Sequence, residues 1–565
     1  MKHYVVGLDY GTNSCRSVIF DLADGTAIAS HVFNYPSGDQ GILLDRRDPN
    51  VARQNPQDYL DGLDAIVTSA LRKAKKAVKG FDPGQIIAIG IDTTGSTPLP
   101  VDREGTPLGM KKEFRRNLAA MAWLWKDHTA QAEAAEITET ARKIRPHYLA
   151  KCGGIYSSEW FWSKLLHCRR VAPEVFDAAF SFVEHCDWMP AVLAGDTDPL
   201  KLKRGVCSAG HKAMFCDEWK GLPDKEFLAA LDPALASLRD RLYAKAWPSD
   251  QTAGLLSKEW AARLGLNQGI PIAVGAFDAH MGGVGAGIKE GTLVKILGTS
   301  TCDMMVKPGS ARLADIPGVC GIVKGSILPG DFGIEAGQSA VGDIFLWFVN
   351  NLVPDSYGKT QDAKFATLNA MSAKMKPGES GLLALDWNNG NRTILVDVRL
   401  SGLLIGQTLH TTVPEMYRAL IEATAFGALT IVKRVQEYGV KVDEIVNCGG
   451  LAVKNPTLMQ IYADVMGCPM KVAAADQTCA FGAGLFGAVC AGKAAGGFST
   501  VAEAQAKLCT VRKKGYTPLA AHHAVYTELY VLYRALHDAF GTAEWTGSLS
   551  GVMKQLIAIR DRVRK

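Results

Sequence analysis

Val5-Val6-Gly7-Leu8-Asp9-Tyr10-Gly11-Thr12-Asn13-Ser14-Cys15-Arg16 is the stretch on which the fold turns. Val5, Val6 and Leu8 read as an apolar strand that delivers Asp9 into a tight turn of Gly11, Thr12, Asn13 and Ser14, after which Val18, Ile19 and Phe20 carry the chain back. Backbone amides and hydroxyls beside a carboxylate suit a metal–phosphate complex, although turn residues of this kind also serve geometry alone. Far along the chain the pattern returns: Val294, Ile296 and Leu297 lead into Gly298-Thr299-Ser300-Thr301-Cys302. Gly-Thr-Asn-Ser-Cys and Gly-Thr-Ser-Thr-Cys are similar turns, which predicts two related halves.

Working outward, 565 residues exceed what one hydrophobic core organises. Two domains are expected, 1–267 and 268–565, divided at the turn cluster Leu266-Asn267-Gln268-Gly269. Hydrophobic residues at 47% and charged residues at 21% are ordinary for a globular protein. The net charge of +5 calls for neither a nucleic-acid nor a membrane partner, and the basic runs at 72–79, 512–514 and 560–565 read as solvated faces. Thirteen cysteines without a C-x-x-C pair point to reduced thiols. With no secretory pattern ahead of the first strand and no apolar run of membrane-spanning length, a cytoplasmic protein is expected.

Past the first hairpin, Ala27 to Phe33 completes an antiparallel meander, and Asn55-Pro56 caps a helix whose face is Tyr59, Leu60, Leu63, Ile66, Val67 and Leu71. Ile86 to Ile91 is then a buried strand ending in Asp92-Thr93-Thr94-Gly95-Ser96-Thr97. Meander, helix and strand make an α/β pattern whose ligands collect at strand ends. Trp123, Trp125, Trp160, Trp162 and Trp188 crowd the next segment, as core indoles or as a sugar-stacking surface interleaved with polar groups. Lys212 reads either as a surface charge or as a ligand hook.

The strand from Ile272 to Val274 gives way to Gly275-Ala276-Phe277-Asp278, followed by several glycines. A helix N-terminus favours carboxylate over acid, so Asp278 is expected to be ionised, as an N-cap or as a proton acceptor. Glu335 ends another apolar stretch. Ile445 to Cys448 is a strand closed by Gly449-Gly450, and Asn455-Pro456 opens the following helix. A double glycine there lets a flat ring or a phosphate approach the backbone.

Together with Asp92 to Pro98, Leu124-Trp125-Lys126-Asp127-His128, Gly153 to Trp160 and Cys207 to Lys212, these residues resemble the FGGY family of carbohydrate kinases over nearly the full length, and within it the bacterial members that phosphorylate L-ribulose. His128 departs from the arginine that many other members carry there. The resemblance implies an α/β fold of two ribonuclease-H-like domains, in the actin-like ATPase superfamily, with a catalytic cleft between them. It implies MgATP held from both sides: Asp9, Gly11, Thr12 and Asn13 on one hairpin, Gly298 and Thr299 on the other, and Gly449, Gly450 and Asn455 at the adenosine. Asp9 would attend to Mg²⁺, Asp278 would be the catalytic base, and Ser96, Thr97, Lys212 and Glu335 would line the ketopentose with it. The implied reaction is transfer from ATP to the C5 hydroxyl of L-ribulose, in arabinose catabolism. Other ketopentoses or polyols, or a nucleotide switch without sugar chemistry, are the alternatives, and a homodimer is left open.

Overall fold

The computed structural model describes residues 2–565. Its first sheet runs in the spatial order 252–255, 271–273, 86–93, 4–10, 14–21 and 27–34. Strand Tyr4–Tyr10 pairs antiparallel with Ser14–Asp21 and parallel with Ile86–Thr93. The crossover between the parallel strands is helix Pro56–Ala77. Asn55 accepts a hydrogen bond from the Gln57 amide, Pro56 takes the first turn, and Tyr59, Leu63, Ile66 and Val67 are buried against the sheet.

The second sheet repeats the plan, in the order 321–324, 332–336, 301–307, 291–297, 442–448 and 470–472. Strand Gly291–Leu297 pairs antiparallel with Thr301–Lys307 and parallel with Val442–Cys448, and helix Val413–Glu437 leads into the last of these. The echo in sequence is therefore an echo in topology. The C-terminal helices Ala520–Gly541 and Val552–Arg564 close the second core through Tyr526, Tyr533, Leu556 and Ile559.

Two features depart from the linear division at 267/268. Strands Pro271–Ala273 and Ala276–Phe277 both pair parallel with Ile86–Thr93, so the first sheet extends to Phe277. Helix Thr478–Ala491, late in the chain, lies on the first sheet and against helix Asp278–Gly285, inside a core cluster shared by both halves. That approach needs bare backbone: a Cβ at Gly7 would overlap the carbonyl oxygen of Ala480, and one at Gly90 that of Ala483. A turn cluster marks a break in local structure, whereas strand pairing is decided by partners distant in sequence.

A third unit, largely helical, spans the tryptophan-rich segment. Trp123, Trp160 and Trp162 are buried in its own cluster, and Trp188 in that of the first sheet. The core reading holds for those four indoles. No helix among the described residues is long and apolar enough to cross a membrane, and all thirteen cysteines are free.

Candidate functional site

The two hairpins put their tips at corresponding ends of their sheets. In the first, the Gly11 amide bonds the Ser14 carbonyl at 2.9 Å; in the second, the Gly298 amide bonds the Ser300 carbonyl at 3.0 Å. Asn13 and Thr299 are exposed at the two tips. Thr12 is tied from outside its hairpin: the Trp125 indole donates to its Oγ1 at 3.0 Å and Gln54 donates to its carbonyl at 2.7 Å. Trp125 is thus the one tryptophan of the five with a direct link to the phosphate turn.

Carboxylates converge beside the first hairpin. Asp9 is the parallel register partner of Asp92, and Asp92 that of Ala276, which places Asp278 just past the third strand end. Asp9 is nearly buried, with the Arg16 guanidinium 3.5 Å away. Burial pushes its carboxyl up and Arg16 draws it back. Asp92 is fully buried, neither of its oxygens has a hydrogen-bond partner, and burial and the Asp9 charge drive its carboxyl well up. Asp278 is pushed up to about 7, by burial first and then by the Asp9 charge, against the hydrogen bond it accepts from the Ala279 amide at 2.7 Å. Asp278, expected to be ionised, is brought near half-ionisation at neutral pH, because desolvation and a like charge oppose the helix terminus. It does not cap the helix: Phe277 holds the cap position.

Asp92 and Arg16 are the residues that sequence reasoning missed. Asp92 stood in a quoted polar run at a strand end, but its alignment with Asp9 depends on parallel pairing across a helical crossover. An orphaned, buried carboxylate beside Asp9 is a donor set that suits a hard divalent cation with oxygen ligands.

Lys212 proves to be buried rather than a surface charge. Its ammonium lies 3.1 Å from each oxygen of Glu335, joining helix Val206–Ala213 of the first half to strand Phe332–Ala336 of the second. Burial would lower the lysine, but Glu335 raises it; burial would raise the glutamate, but Lys212 holds it well below the usual range. His211 and His280 flank the same carboxylate, at 3.4 and 3.7 Å.

Ser96 and Thr97 turn inward. Ser96 Oγ and the Thr97 amide both donate to the Glu184 carboxylate, the latter at 2.7 Å, and both residues are buried. Lys164, itself buried, donates to the carbonyls of Ser96 at 2.7 Å, Leu124 at 2.9 Å and Trp123 at 3.2 Å. Gly95, packed on the Phe277 ring, is half-buried while Ser96 and Thr97 are buried.

Gly449 and Gly450 follow strand Val442–Cys448 beside the second hairpin. Gly449 has φ 95° and fits against the Leu297 carbonyl, while Gly450 is exposed with open space where a Cβ would be. Asn455 opens helix Pro456–Met466 as expected: its buried side chain accepts from the Leu458 amide at 3.0 Å and donates to Asn369 at 3.0 Å.

Paired sheets of one topology, each tipped by a phosphate-type hairpin with carboxylates between, define the actin-like ATPase fold. Models of the FGGY family of carbohydrate kinases match the chain twice, the N-terminal domain over residues 4–285 and the C-terminal domain over 293–491. The chain belongs to the FGGY family of carbohydrate kinases. It is 43% identical over 566 residues to a ribulokinase of Geobacillus thermodenitrificans, covering 98% of this chain and 97% of that protein. A ribulokinase of Vibrio parahaemolyticus is 40% identical over 550 residues, covering 95% of each. Among solved structures, a xylulose kinase from Rhodospirillum rubrum superposes with a TM-score of 0.76 at 22% identity, over 95% of this chain and 99% of that one. Plasmodium falciparum glycerol kinase with ADP does so at 0.74 and 15% identity, over 95% and 98%. These two likenesses speak for the fold alone.

Proposed function

We propose that this kinase transfers the γ-phosphoryl group of ATP to the C5 hydroxyl of L-ribulose, giving L-ribulose 5-phosphate and ADP, as in arabinose catabolism. The observation that carries this reading is Asp278: a carboxyl near neutrality, just past the strand ends that bear Asp9 and Asp92, with the Lys212–Glu335 pair close by. Full-length similarity to proteins named ribulokinase, at 40 to 43% identity, supports the choice of sugar.

Phosphoryl transfer asks a protein for in-line positioning and charge stabilisation more than for covalent chemistry. Asp278 accepts the proton of the sugar hydroxyl as the bond to phosphorus forms, and a pKa near the working pH suits a general base. Lys212 donates to sugar oxygens and Glu335 accepts from sugar hydroxyls. The Gly95–Thr97 turn shapes the wall through its backbone. The amides of Thr12 and Asn13 on one hairpin and of Thr299 on the other face the phosphates, with Gly11 and Gly298 closing the two turns, and Gly449 and Gly450 border the adenosine. Asp9 and Asp92 would hold the Mg²⁺ of the nucleotide, which would offset the charge developing in the transfer.

A panel of L-ribulose, D-ribulose, D- and L-xylulose and ribitol, read by ADP release, tests the reading. L-ribulose should show the highest kcat/KM. A clear preference for another member would replace the sugar, and ATP turnover indifferent to every sugar would replace the kinase with a nucleotide switch.

A further inference from the structure

His211, His280 and Glu335 form a buried cluster whose nitrogen and carboxylate atoms all lie within 4.8 Å of one another. They come from three elements: helix Val206–Ala213, helix Asp278–Gly285 and strand Phe332–Ala336. Ser326 Oγ lies 3.0 Å from the Val323 carbonyl and 3.0 Å from His211 Nε2; when it donates to the carbonyl it accepts from that ring nitrogen. In the tautomer so protonated Nδ1 is bare, and it faces Glu335 Oε2 at 3.4 Å. His280 Nε2 stands 3.7 Å from the same oxygen, and neither nitrogen of His280 has a partner. Two imidazole nitrogens and a carboxylate oxygen thus converge on a common space, beside the Lys212 ammonium that lies 3.1 Å from the same Oε2.

We propose that His211 Nδ1, His280 Nε2 and Glu335 Oε2 form a binding site for a divalent transition cation of the zinc class. Zinc bonds to nitrogen and oxygen of roughly 2.0–2.1 Å give tetrahedral ligand separations of about 3.3 Å, close to the 3.4 and 3.7 Å found here. The Nε2 contact to Ser326 is the outer-shell hydrogen bond that an imidazole ligand normally makes. Monodentate coordination through Oε2 requires the Lys212 ammonium, 3.1 Å from each Glu335 oxygen, to give up Oε2 and keep Oε1, and a fourth position is left for water. A cavity of about 280 Å³, lined in part by Tyr148, Cys152, Gly210, His211 and Val323, reaches the His211 ring. The set is distinct from the all-oxygen donors at Asp9 and Asp92: imidazole nitrogen selects zinc, cobalt or nickel over magnesium. Occupancy staples the first half to the second and takes Glu335 from the pentulose, so the ion is an inhibitor.

The test uses the full chain, stripped by chelator and titrated with Co²⁺ in excess Mg²⁺, which fills the oxygen sites. One Co²⁺ per chain should bind with the strong visible absorption of a tetrahedral site. His211→Asn and His280→Gln should each weaken that binding at least tenfold. X-ray absorption on the zinc-loaded wild type, which needs no variant to fold, should show nitrogen and oxygen neighbours at about 2.0–2.1 Å. Weak octahedral bands only, sulfur neighbours or thiolate charge transfer, or uptake undiminished in both variants would overturn the site. Zinc should also raise the apparent KM for L-ribulose without raising that for ATP. This last expectation rests on the role given to Glu335 above, whereas the metal count does not, so the two can fail separately.

Discussion

Lowering the pH should switch off the catalytic base of this kinase well above the range where ordinary carboxylates titrate. Burial, then the Asp9 charge, pushes Asp278 up to about 7 from 3.8. A base works only as the carboxylate, so activity is lost as pH falls through that value. With a pKa of about 7 the ionised fraction is ~0.91 at pH 8, ~0.09 at pH 6 and ~0.01 at pH 5, so kcat/KM for the pentulose falls about tenfold over the first interval and about ninefold more over the second. A carboxyl at 3.8 would hold the rate nearly flat across the same span. The measurement is direct quantitation of ADP at subsaturating L-ribulose and saturating MgATP, with no coupling enzymes to impose their own profile. Asp278→Asn should lose about two to four orders of magnitude in rate, and its residual activity should lack the acid limb. Asp9→Asn removes a like charge, which favours the Asp278 carboxylate and should move the limb to lower pH. A flat wild-type profile, or a limb that survives in Asp278→Asn, would refute the assignment of the base.

Three further expectations concern the frame around that base. Gly7→Ala drives a methyl into the Ala480 carbonyl and should cost about 1–3 kcal/mol or more in urea unfolding, because a helix must lift off the sheet. Lys164→Met leaves the carbonyls of Ser96, Trp123 and Leu124 without their shared donor. It should destabilise the fold by about 1–3 kcal/mol and raise the KM for L-ribulose more than that for ATP. Asp92→Asn removes a buried carboxylate with no partner, so in metal-free buffer the melting temperature should rise, while the Mg²⁺ needed for half-maximal activity should increase several-fold. An unchanged Mg²⁺ requirement would take Asp92 out of the metal set.

Much of the plan is legible in the chain because it is local. A hairpin needs only its own strands and turn, so both phosphate-type turns, the capped helix at Pro56 and the double glycine after Cys448 fall where their residues indicate. Lys212 and Glu335 were singled out separately, and the fold brings them together. What the reading could not supply, a distant partner decided. Ser96 and Thr97 are held by Glu184 and Lys164, and Asn455 by Asn369. Four of the tryptophans look as fit for a sugar as for a core, since only burial distinguishes the two.

By itself the sequence determined the paired halves, the turn chemistry and the family, because turns, caps and strand periodicity are written in neighbouring residues. Only the tertiary structure decided that Asp92 lies against Asp9, that burial and the Asp9 charge raise Asp278 and that two imidazoles face Glu335. Proton affinity and metal affinity depend on desolvation and on charges a few ångströms away, and those distances are set by pairing and packing between segments that lie far apart along the chain.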